Sequence, residues 1–259
     1  ILEVLQNSLS LNNCNKNIFQ IIESKDRQDT IEFMNLTEFV DLIVPRGGKG
    51  LIQTLVDNSK VPFILDGDGN VHLYIHQDAK KEHIIDIVIN SKVQRPGVCN
   101  ALETLLINSQ IYQDMGSLII EKLLENKVEL FVDETIKEDF SNLNLANESH
   151  YETEFLDLKL AVKVVDSVDQ AIEHIKVYSS GHTEAILTES KEVADTFAKS
   201  IDSSVIFINS STRFTDGEMF GFGSEIGIST QKLHVRGPMG LEALTNERYV
   251  VTGEGTVRE

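Results

Sequence analysis

What most narrows the fold of this chain is its alternation. Strand-length, β-rich apolar runs are separated almost from end to end by segments of helical periodicity. The runs cover 40–44, 61–65, 71–75, 104–107, 128–132, 160–165, 185–188 and 205–208. Between two of them, Val168, Ala171, Ile172 and Ile175 form an apolar stripe at helical spacing, and Val193, Ala194, Phe197, Ala198 and Ile201 form another. Ser167 and Ser190 stand where N-caps belong, with Gln170 following Ser167 as in a capping box. Strand, helix, strand at this spacing predicts βαβ units: an α/β fold whose largely parallel sheet carries helices on both faces.

Composition excludes several alternatives. Apolar residues make up 41% and charged residues 25% of 259 residues, which is globular usage. A formal charge of −18 repels phosphate backbones and anionic lipid, so neither nucleic acid nor membrane is an expected partner. No apolar run approaches the roughly 20 residues of a helical span. Two cysteines, Cys14 and Cys99, make no disulfide framework, and a reducing, cytoplasmic setting is expected. The first residue is Ile1, and no signal peptide follows it, so the chain is expected to begin inside a longer protein.

Several local patterns bear on chemistry. Pro45-Arg46-Gly47-Gly48-Lys49-Gly50 follows a strand run and opens a helix, where backbone N–H groups can receive phosphate. It matches neither standard nucleotide fingerprint, and a plain tight turn fits it as well. Asp66-Gly67-Asp68-Gly69-Asn70 imitates an EF-hand start, but Val71 and Gln77 stand where glycine and glutamate are required, so a turn is expected. His72, His76 and His83 lack tetrahedral partners and read as exposed. Cys99 sits in Gln94-Arg95-Pro96-Gly97-Val98-Cys99-Asn100, a constrained loop where Arg95 adds positive potential favouring thiolate. A reactive thiol and an inert buried one both fit. Cys14, in a polar loop, has no base or cation arranged around it. The stretch 217–227 is too long for a simple turn, 238–245 has a helical look, and 248–252 reads as a short edge strand.

Taken in order, several segments resemble the γ-glutamyl phosphate reductase family of the aldehyde dehydrogenase superfamily. They are Leu42-Ile43-Val44-Pro45-Arg46-Gly47-Gly48-Lys49-Gly50-Leu51, the Cys99 segment, Ser179-Ser180-Gly181-His182-Thr183-Glu184-Ala185-Ile186, Phe220-Gly221-Phe222-Gly223-Ser224-Glu225-Ile226-Gly227-Ile228-Ser229-Thr230 and Leu233-His234-Val235-Arg236-Gly237-Pro238-Met239-Gly240-Leu241-Glu242. The resemblance implies an aldehyde-dehydrogenase-like fold of three-layer αβα parallel sheets. Residues 1–67 would be the C-terminal part of an NADP-binding domain, 68–230 the catalytic domain, and 231–259 a return segment with an oligomerisation strand. It also implies on the order of 150 further residues before Ile1, about one domain, holding the first half of the cofactor sheet.

Residue by residue, the resemblance makes Cys99 the nucleophile and sets Asp66 near the superfamily's general-base glutamate. Arg46, Gly47, Gly48, Gly50 and Glu154 would hold NADP(H), with Glu154 on the nicotinamide ribose. Arg95, Asn209, Ser211 and Arg213 would bind substrate, with Arg213 reading the α-carboxylate. No metal is implied. The implied reaction is NADPH-dependent reduction of L-glutamyl 5-phosphate to L-glutamate 5-semialdehyde through a cysteine thioester, in proline biosynthesis. A homo-oligomer joined by the terminal strand is expected, with glutamate 5-kinase a candidate partner. Alternatives are the reductase half of a bifunctional pyrroline-5-carboxylate synthase, a hydrolytic aldehyde dehydrogenase and a catalytically silent interaction fragment.

Overall fold

The computed structural model describes residues 1–258 apart from Asp66 and His234. The chain divides into two compact units, Ile1–Phe63 and Ile64–Glu259.

The first unit holds three helices, α1 (Leu2–Leu11), α2 (Arg27–Phe33) and α3 (Lys49–Asn58). Asp26 caps α2 by accepting from the Gln28 N–H. The expected strands at 40–44 and 61–65 reduce to one parallel bridge between Ile43 and Phe63. Among the described residues neither run pairs with a further strand, and an isolated two-stranded pairing is marginal without one.

The second unit is built on a seven-stranded, wholly parallel sheet. Its strands and helices alternate as β1 (Val71–Ile75), α4 (Lys81–Val93), β2 (Leu102–Asn108), α5 (Ser109–Glu125), β3 (Glu129–Val132), α6 (Glu134–Asp139) and β4 (Asn144–Leu145). There follow α7 (Glu148–Tyr151), β5 (Lys159–Val165), α8 (Val168–Tyr178), β6 (Thr183–Leu187), α9 (Lys191–Ser200) and β7 (Val205–Ile208). The spatial order is β4-β3-β5-β2-β1-β6-β7. Side chains alternate between faces along each strand. Leu73, Ile75, Leu105 and Ile107 therefore meet Ile84 and Val88 of α4 and Ile119, Ile120 and Leu123 of α5. Tyr74, Leu106 and Ile186 face the other way, onto Ala171, Ile172 and Ile175 of α8 and Phe197 of α9. This is the expected α/β arrangement with helices on both faces.

The expected caps are in place, with one difference. Ser190 accepts from the Val193 N–H, and Ser167 from the Gln170 N–H. The Gln170 side chain returns to the Asp166 N–H at 2.9 Å instead of to Ser167. Two other expectations fail. Segment 238–245 holds β9 (Gly237–Met239), paired antiparallel with β8 (Gly227–Ser229), and only a 3-10 turn at Glu242–Leu244. Residues 248–252 form no strand among the described residues, and Tyr249 and Val251 lie open to solvent. His72 and His76 are buried, not exposed as expected, because β1 lies in mid-sheet with both faces covered; His83, on α4, is exposed.

Candidate active site

The loop carrying Cys99 is fixed from several sides. Helix α4 ends at Val93, Pro96 and Gly97 form a turn, and the chain enters β2 at Leu102. Cys99 is half-buried there, while Cys14 is exposed in the first unit. The next residue, Asn100, is buried and donates from Nδ2 to the Thr215 carbonyl at 2.7 Å. Its own carbonyl accepts from the Thr212 hydroxyl at 2.8 Å. On the remaining side Gly69 lies directly against the loop: a Cβ on Gly69 would sit 1.6 Å from the Cys99 carbonyl oxygen. Glycine is required here for space.

Gly69 also connects Cys99 to Glu154. The Gly69 N–H donates to Glu154 Oε1 at 2.7 Å, which holds the half-buried carboxylate close to the Cys99 loop. Cys99, Gly69 and Glu154 all precede parallel strands (β2, β1 and β5), so they share the edge formed by the strands' amino ends.

Arg213 reaches the same edge. After β7 the chain returns along a 3-10 turn, Thr212–Phe214, whose N-cap Ser211 accepts from the Arg213 N–H at 3.2 Å. Arg213 Nε donates to Gln94 Oε1 at 2.8 Å, at the start of the Cys99 loop. Burial, and then the like charge of Arg95, lower the Arg213 guanidinium below its ordinary value, while Asp216 and Cys99 act in the opposite sense. Two cations and a thiol therefore share one electrostatic neighbourhood.

Two expected substrate ligands sit elsewhere or are already engaged. Asn209 stands past the carboxyl end of β7 with a left-handed backbone (φ 56°), and its amide grips Thr188: Oδ1 accepts from the Thr188 N–H and Nδ2 donates to the Thr188 carbonyl. It ties β7 to β6 at the edge opposite Cys99. Ser211 is 5% exposed and bonds with Ser91 as well as Arg213, so it holds the turn in place. Asp66 lies outside the described residues.

Arg46, Gly47, Gly48 and Gly50 belong to the first unit. Gly48 is the N-cap of α3, with no side chain capping that end. A Cβ at Gly47 would meet Leu51 Cδ2 at 2.7 Å, whereas at Gly48 or Gly50 it would find open space. Among the described residues, no group of three or more His, Cys, Asp or Glu is placed to hold a metal.

The sequence reading missed Gly69, Asn100 and Thr212. Gly69 left a signal as one of two glycines in a pattern read as a turn, and Asn100 as the residue closing the Cys99 segment.

No protein-family model matches this sequence. The acetylating aldehyde dehydrogenase of Geobacillus thermoglucosidasius superposes with a TM-score of 0.75 at 17% identity, over 100% of this chain and 66% of that one. At that identity the likeness is one of fold, and the fold is that of the aldehyde dehydrogenases. The γ-glutamyl phosphate reductase of Thermotoga maritima, a crystal structure, matches with a TM-score of 0.95 and 43% identity, over 100% of this chain and 62% of that one. The curated γ-glutamyl phosphate reductase of Thermoanaerobacter pseudethanolicus is 49% identical over 240 residues, 93% of this chain and 58% of that protein. The chain belongs to the γ-glutamyl phosphate reductase family and spans about three fifths of the length of these relatives.

Proposed function

We propose that these residues form the nucleophile half of an NADPH-dependent reductase acting on L-glutamyl 5-phosphate and yielding L-glutamate 5-semialdehyde, on the route to proline. The observation that carries the reading is Cys99 on a pinned loop with Arg95 and Arg213 beside it. A thiolate is nucleophilic near neutral pH and leaves well from a tetrahedral adduct. Cys99 Sγ bonds to the acyl carbon, the carbon–oxygen bond to phosphate breaks, and phosphate departs with the electron pair. On this reading the Cys99 backbone N–H is the donor this chain offers to the developing oxyanion. Arg213 pairs with the α-carboxylate through its planar fork.

The chain's residues fit the phosphates and ribose of NADP(H). The N-terminal turn of α3 is bare of side chains at Gly48 and Gly50 and uncapped, which suits a pyrophosphate. Glu154, held by Gly69, suits a ribose diol. What NADPH supplies when bound is a hydride to the thioester carbon. Residues 1–67 belong on this reading to the cofactor domain, 68–230 to the catalytic domain, and 231–259 to a return segment whose exposed end pairs with a second copy in the cytoplasm.

The test is oxidation of glutamate semialdehyde with NADP+ by the protein. Turnover that depends on inorganic phosphate is expected, because phosphate must release the acyl group from Cys99. Equal turnover without phosphate would replace this reading with a hydrolytic one.

A further inference from the structure

Beneath the nucleophile loop lies an ion pair closed off from solvent. Lys92 Nζ, on the last turn of α4, is 2.7 Å from Glu103 Oε2, on β2, and both side chains are 0% exposed. The two residues bracket the Cys99 loop in sequence. A buried pair of this kind is weak evidence for stability, since apolar residues of the same shape often serve as well. Its other contact points to a different role.

Glu103 Oε1 accepts from the Leu156 N–H at 3.1 Å. Leu156 has a left-handed backbone, φ 52°, which is uncommon for a non-glycine residue. Leu156 is 46% exposed, so a hydrogen bond to its backbone is what the structure offers to hold that conformation. Leu156 lies two residues beyond Glu154, and its carbonyl is 3.6 Å from where a Cβ on Gly97 would be. A closed circuit results. It runs from Cys99 to Gly69, through Glu154 to Leu156, on to Glu103 and Lys92, and back along α4 to the Cys99 loop.

We propose that Glu103, oriented by Lys92, is a positioning residue that fixes the turn at Leu156 and so sets the Glu154 carboxylate against the nucleophile loop. This rests on the reading that Glu154 holds the ribose of the cofactor. Burial raises the Glu103 carboxyl above its ordinary value, and Lys92 opposes that shift. With Lys92 beside it the carboxyl stands at about 7, and Oε1 accepts from the Leu156 N–H whether or not the group carries its proton.

Two matched double variants isolate the hydrogen bond. Lys92→Met with Glu103→Gln removes both charges and keeps an acceptor for the Leu156 N–H; Lys92→Met with Glu103→Leu removes the acceptor as well. NADP+ binding is titrated directly, beside the KM for semialdehyde and the alkylation rate of Cys99. The Leu form should bind NADP+ about tenfold more weakly than the Gln form. Semialdehyde KM and Cys99 alkylation should match between the two. Equal Kd values in the two forms, beside weakened binding in Glu154→Ala, overturn the positioning role alone. Unchanged binding in Glu154→Ala overturns the ribose assignment beneath it. Hydrogen exchange on the unaltered protein gives a result that does not depend on either variant folding. The Leu156 amide should be protected despite its exposed side chain, and free exchange there would overturn the hydrogen bond itself.

Discussion

His72 Nδ1 lies 3.1 Å from Glu184 Oε2, with both side chains fully buried at mid-sheet. The two are register partners on β1 and β6. The same carboxylate oxygen accepts from the His72 N–H at 2.9 Å, and the other oxygen accepts from the Ser179 and Ser203 hydroxyls. A carboxylate satisfied this fully tolerates burial, and removing it leaves several donors without a partner. Glu184→Leu should therefore cost on the order of 3–5 kcal/mol. Thermal or denaturant unfolding of the variant checks this, and a change within error would mean the network contributes nothing.

His174 sets an acid limit on stability. Burial, then the charges of His72 and Lys163, lower its imidazole from 6.5 to about 2, so it stays neutral in the fold. The unfolded chain takes up that proton below about pH 6.5. The contribution is thus complete above that value and is lost as pH falls toward 2. At about 1.4 kcal/mol per pH unit, roughly 2 kcal/mol should be gone by pH 5. His174→Phe should flatten the slope of unfolding free energy between pH 7 and 5. An identical slope in the variant would assign the loss to other groups.

Cys99→Ala and Cys99→Ser should abolish reduction of the acyl phosphate, while Cys14→Ser should retain it, since Cys14 is exposed in the other unit. Steady-state assay decides, and substantial turnover by Cys99→Ala ends the covalent mechanism.

Gly69→Ala should disable the site without touching a reacting group. Its Cβ would overlap the Cys99 carbonyl at 1.6 Å, and a backbone atom cannot swing aside as a flexible side chain does. The loop must shift, and a displacement of about 1 Å at a reacting centre can cost on the order of a hundredfold in rate. Wild-type kcat together with a wild-type rate of Cys99 alkylation would refute the close approach.

Arg213→Ala should lower kcat/KM for glutamate semialdehyde about ten- to a hundredfold, from loss of a charge-assisted bond of roughly 1.5–3 kcal/mol. Butyraldehyde, which lacks the α-carboxylate and α-ammonium of the semialdehyde, separates recognition from folding. An equal loss with butyraldehyde would show that the guanidinium serves the loop through Gln94.

The parts legible in the sequence are those set by local periodicity. The run 205–208 is β7 to the residue, and the stripes on α8 and α9 face the core as their spacing demands. Periodicity fails where partners decide the outcome. The runs at 40–44 and 61–65 have β-prone residues yet form one bridge, because a ladder needs neighbours. His72 on β1 and His76 just past its end look polar in isolation and are buried because strands flank β1 on both sides. In the site, Cys99 and Arg213 could be read from loop context and resemblance. The clamp of Asn209 on Thr188 and the approach of Gly69 to Cys99 join residues far apart in the chain, and spacing carries no trace of either.

The wholly parallel sheet gives this unit two unequal rims. Cys99, Gly69, Glu154 and the Ser179–Glu184 network crowd one rim, while Asn209, Thr188 and the bond between His76 and Asp78 tie strands together at the other. Tolerance to sequence change should therefore be graded along each strand, from a rim where small shifts are felt in catalysis to one where they are felt only in folding.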